Sequence, residues 1–191
     1  MANEETPEMQ RLVSDTQEKI DEFIELYKSG EIDESNFEDE MQKLLAQGHM
    51  SSYMLGQESS VLDEDDFTNI SDLVQYQFLF LVNFVNVMRT SPEFMEGWFS
   101  RAEMYASAFN QTYWTGRFKM LPLPAMPGQG TQCYSNCRCK WDVTTIDEKN
   151  RDYDGYWILD PFVEEGRHCQ TCLQRADEWN PVRIRAGVLQ L

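Results

Sequence analysis

All five cysteines of this chain lie in its last third. Cys133, Cys137 and Cys139 form a C-x3-C-x-C knot, and Cys169 and Cys172 sit in an H-C-x2-C segment. Two short clusters about thirty residues apart have the spacing of a structural zinc site, where two loops each lend thiolates to one tetrahedral ion. A disulfide framework fits less well, because the count is odd and no Cys occurs before Cys133. Unligated thiols are the third reading.

The rest of the chain must supply its own core. With 191 residues, of which 41% are hydrophobic and 13% aromatic, it has the material for one ordinary domain or two small ones. Met1 to Met9 is acidic and polar, without the basic and apolar regions of a secretory signal. The most apolar stretch, Phe78 to Met88, is too short to span a bilayer and is interrupted by Asn83 and Asn86. The expectation is a soluble protein made in a reducing cytosol, with no membrane association, where thiolates are available for metal.

Charge is unevenly placed. Residues 1–66 hold 19 Asp/Glu against 4 Lys/Arg, so they carry nearly all of the net charge of −17. Such a field repels nucleic acid and anionic membranes and favours a basic protein surface. A solvated helical face accounts for it equally simply.

The periodicity predicts a mainly α fold with a small zinc-stapled α+β module at the C-terminus. Three units are expected: an acidic helical hairpin over 1–62, a buried helix pair over 63–118 and a Cys-rich module over 119–191. Pro7 suits a first helical turn, and Leu12, Val13, Ile20, Phe23, Ile24 and Tyr27 make an apolar stripe ended by Ser29-Gly30. Ser35 with Glu38 reads as a capping box for a second helix, striped by Phe37, Met41, Leu44, Leu45, Tyr53, Met54 and Leu55. Glu58 to Asp66 reads as an acidic loop.

A third helix is expected from about Thr68 to Arg89, apolar nearly all round in its second half and so buried in the core or an interface. Ser91-Pro92 would start a fourth, running to about Thr115. Lys119 to Gln132 is an irregular connector. Its Gly128 and Gly130 lack the strand, helix and Lys-Ser/Thr of a phosphate loop. Strands are expected over Cys139–Thr145 and Tyr156–Leu159, then a helix over Cys169–Trp179 and an extended tail.

Within the metal constellation, Cys169 and Cys172 at a helix start can face one point, where free backbone N–H groups favour thiolate. Cys133 and Cys137 can bracket a tight turn. The first choice of ligands is Cys133, Cys137, Cys169 and Cys172, with Cys139 as substitute, and His168 can replace a Cys. Four or more thiolates argue for a closed structural site over a catalytic one, which would keep an open position. His49 and His168 lie in unrelated segments, so no His dyad is suggested, and His49 reads as a surface or packing residue.

Several of these residues also form a family pattern. Ile24 to Ile32 resembles the "LYxGxI" turn of bacteriophage minor head proteins, and Arg101 to Ala106 with Thr112-Tyr113-Trp114 resembles the helix that follows in them. Leu123 to Trp141 is similar to the family's "LPxxPGxGxxxCxxNCxCxW" segment. Tyr156 to Leu159, His168 to Cys172 and Glu178 to Val182 complete the likeness, which spans roughly residues 20 to 185. Gln129, where the family often has an acidic residue, and the acidic N-terminus depart from it.

The resemblance implies a virion structural protein of the minor capsid or head-morphogenesis type. It would be assembled in the host cytoplasm and associated with the portal or the major capsid protein, homo-oligomeric in the particle and without enzyme activity. The alternatives are a capsid cement or lining protein and a zinc-dependent nucleic-acid-binding module. Arg138, Lys140, Arg183 and Arg185 make a thin footprint for the last. A metal-dependent hydrolase lacks a visible general base.

Overall fold

The computed structural model describes residues 5–91, 96–133, 137–161, 163 and 168–190. The chain is mostly helical, with a small antiparallel sheet at its C-terminal end. Five helices come first: α1 (Pro7–Ser29), α2 (Glu34–Gln57), α3 (Glu64–Thr90), α4 (Glu96–Ser107) and α5 (Phe109–Arg117). After the connector come β1 (Lys140–Asp147), β2 (Asp152–Ile158), α6 (Gln170–Glu178), β3 (Val182–Arg185) and β4 (Val188–Gln190).

Helix boundaries follow capping chemistry. Thr6 accepts from Met9 N and starts α1, and Gly30, at φ 78°, ends it in the left-handed region where a Cβ is costly. Asp33 caps α2 by accepting from Asn36 N, so the start lies just before the expected Ser35 box. The acidic loop expected over Glu58–Asp66 is in part the head of α3. Asp63 and Asp66 form a reciprocal capping box there, and Glu64 and Asp65 fill the first turn. Carboxylates suit that position because the helix dipole is positive at its N-terminus.

The expected fourth helix divides at Ala108 into α4 and α5. Its proposed start at Ser91-Pro92 falls at the edge of the described residues. The third helix is packed on one face only within the chain. Leu81, Phe84, Val85 and Met88 take the inner face, whereas Leu79 and Val82 are 68% and 53% exposed. With 3.6 residues per turn, one packed side cannot cover an all-round apolar run.

Helix α2 lies at the centre, against α1, α3 and most extensively α5. Small residues permit the close approach to α5. A Cβ on Gly56 would stand 2.0 Å from Tyr113 O, and one on Gly116 2.4 Å from Tyr53 O. Between them, Ser52 Oγ donates to Phe109 O at 2.5 Å, and His49 Nδ1 lies 2.6 Å from Thr112 Oγ1. His49 is thus a fully buried packing residue, edge-on to Phe109.

The sheet order is β1-β2-β3-β4, all antiparallel, with α6 inserted between β2 and β3. Strand β2 starts at Asp152, earlier than expected, which shortens the hairpin connection to residues 148–151. Period-two alternation puts Trp141 and Val143 of β1 and Tyr153 and Trp157 of β2 on the buried side. The buried apolar cluster runs without a break from Met9 in α1 to Ile184 in β3. Among the described residues, no helix is long and apolar enough to cross a membrane.

Candidate metal centre

Each cysteine is placed by a different local device. The connector turns through Gly128 and Gly130, both at positive φ (86° and 62°), and delivers Cys133. Cys137 and Cys139 lie on the short run into β1. Cys169 is the N-cap of α6, and Cys172 stands in the first turn of that helix. The two ends are tied together: Arg175 Nη2 donates to Gln129 O at 2.6 Å and Gln170 N to Gln132 Oε1 at 3.3 Å.

These devices bring all five expected thiols into one cluster. Cys133 Sγ lies 3.8 Å from Cys169 Sγ, and Cys137 Sγ lies 3.8 Å from Cys172 Sγ. Neither separation is a disulfide bond, and all five cysteines are free. A tetrahedral ion with metal–sulfur bonds of about 2.3 Å requires sulfur–sulfur edges of about 3.8 Å. Cys133, Cys169 and Cys172 lie within 4.8 Å of one another, and so do Cys137, Cys139 and Cys172. The cluster can hold a metal ion.

The surroundings favour ionised sulfur at Cys139 and Cys137. Hydrogen bonding with Cys137, then Cys172, and the Asp160 backbone N–H together outweigh burial and bring the Cys139 thiol down to about 4. Cys137 is also lowered, first by its hydrogen bond with Cys133. Cys172, hydrogen-bonded by Cys133, Cys137 and Cys139, is pushed up. So many buried thiols cannot all ionise without a cation among them. Soft donors, burial and edge length all fit a thiophilic metal ion.

A cavity of 310 Å³ adjoins the cluster, bordered by Met104, Ser107 and Ala108 of the helical body and by Arg138, Asp160 and His168. His168, offered as a replacement ligand, lines this cavity but belongs to neither close triad. Asp160 reaches the cluster through its backbone N–H, which no side-chain motif encodes.

Behind the thiols stands a packed aromatic wall. Trp141 stacks on Trp179 at 5.7 Å, and Trp157 meets both edge-on at 5.2 and 5.8 Å. The Arg175 guanidinium lies 5.1 Å from the Trp157 ring and 4.8 Å from that of Trp179. One residue of α6 therefore braces the connector and the tryptophans together. Comparison of the chain with protein-family models, curated proteins and solved structures gives no match.

Proposed function

We propose that this chain is a bacteriophage virion structural protein of the minor head type, whose C-terminal module is held by structural zinc. The helical body would contact the portal or the major capsid protein, and the role would be architectural rather than catalytic. One observation carries the reading. The C-terminal segments of the family likeness, Leu123–Trp141, Tyr156–Leu159, His168–Cys172 and Glu178–Val182, contribute to the thiol cluster or its tryptophan wall.

Zinc is favoured over other metals by an all-thiol donor set with tetrahedral edges. The acidity of residues 1–66 supports a basic protein partner over nucleic acid. The test is quantitative mass spectrometry of purified particles, counting this chain against portal and coat protein. A count near that of the portal is expected. A count near that of the coat would recast the chain as a cement or lining protein. Absence would make it an assembly factor that departs before maturation.

A further inference from the structure

Building on the zinc reading, we propose that the cluster holds two zinc ions bridged by the Cys172 thiolate. One tetrahedral ion needs four sulfurs mutually about 3.8 Å apart. The largest sets whose sulfurs all lie within 4.8 Å of one another are instead two triads that share only Cys172. Each triad contains one of the two 3.8 Å edges, Cys133–Cys169 in the first and Cys137–Cys172 in the second. A single ion at either triad would leave two thiols of the other unligated beside it.

Two further donors lie beside the cluster, outside both triads. His168 is the chain neighbour of Cys169, in the first triad, and Asp160 gives its backbone N–H to Cys139, in the second. Both residues line the cavity beside the sulfurs. One ion completed by His168 and one by Asp160 would each reach four ligands, with Cys172 counted in both. Cys172 suits the bridging position because it is 1% exposed and lies between the other thiols.

Charge points the same way. Five thiolates and the Asp160 carboxylate leave four negative charges uncompensated around one divalent ion, and two around a pair. Two neighbouring cations compensate poorly: Arg138 is exposed, and Arg175 is stacked on the tryptophans.

The experiment is elemental analysis together with native mass spectrometry of the full chain purified from zinc-supplemented cells. Two zinc ions per chain are expected. One ion overturns the bridged pair and leaves the single-zinc reading standing, whereas none overturns both. Cys139→Ser gives an independent readout. It should halve the zinc content if each triad holds an ion, and an unchanged content would mark Cys139 as spare and overturn the pair. Failure of that variant to fold leaves the wild-type count as the deciding result.

Discussion

Lys119 Nζ lies 2.6 Å from Asp66 Oδ1, an ion pair joining the end of the helical body to the head of α3. Asp66 is 1% exposed and also accepts the Tyr53 hydroxyl at 2.7 Å. Burial pushes its carboxyl up, but hydrogen bonds from Lys119, the Asp63 backbone and Tyr53 hold it below the usual range. Asp66→Ala strands Tyr53 and Lys119 together and should cost about 2–4 kcal/mol, read as a lower urea midpoint. A depressed carboxyl stabilises above its unfolded value of 3.8 and ceases to do so as pH falls through the lower folded value.

His49 sets a different pH window. Burial drives its imidazole from 6.5 down to about 3, with Nε2 lacking a partner. The folded chain keeps His49 neutral across that interval, whereas the unfolded chain takes up a proton below 6.5. Stability is therefore full above pH 6.5 and declines as pH falls toward 3, by up to about 1.4 kcal/mol per pH unit. Urea unfolding at pH 7.5 and pH 5 measures the slope. His49→Gln should flatten it, and an equal slope in that variant would assign the effect elsewhere.

The α2–α5 crossing tolerates no side chain at its glycines. Gly56→Ala and Gly116→Ala each aim a methyl at backbone carbonyl oxygen, so the helices must part. Each should destabilise by about 1–3 kcal/mol or more. Gly97→Ala is the control. Nothing lies within 4 Å of a Cβ there, and the change should be neutral to slightly stabilising in a thermal melt.

Arg175→Ala removes the 2.6 Å bond to Gln129 O and the contact with two tryptophan rings. A loss of about 2 kcal/mol is expected from a charged hydrogen bond and cation–π contact combined. Arg175→Lys should recover little, since an ammonium group cannot stack and reach the carbonyl at once.

Chelation of bound metal, or Cys169→Ser, should loosen the C-terminal module and spare most of the helix content. Near-ultraviolet circular dichroism reports on Trp141, Trp157 and Trp179, while far-ultraviolet signal follows the helices. Parallel loss of both signals would show that the helical body depends on the metal.

Much of this was legible in residue order. The stripe from Leu12 to Tyr27, the Pro7 and Gly30 boundaries and the two Cys clusters each express a short-range rule. The errors came where a residue type serves two purposes. Asp63 and Asp66 read as a polar loop because carboxylates are common there, yet they equally suit a helix head. Leu79 and Val82 belong to a run read as buried in the core or an interface, and hydropathy alone does not say which sides of a helix the chain itself packs. Convergence of the two Cys clusters was expected from spacing, but the division into triads depends on tertiary placement.

The order of elements along the chain has a consequence for synthesis. Every helix of the body ends by Arg117, and the first thiol comes at Cys133. A ribosome therefore finishes the α1–α5 scaffold before it delivers any thiol. The wall formed by Met104, Ser107 and Ala108 can be in place before Cys133 emerges. Metal capture would then be the closing act of biogenesis, a checkpoint passed only by chains translated through Cys172.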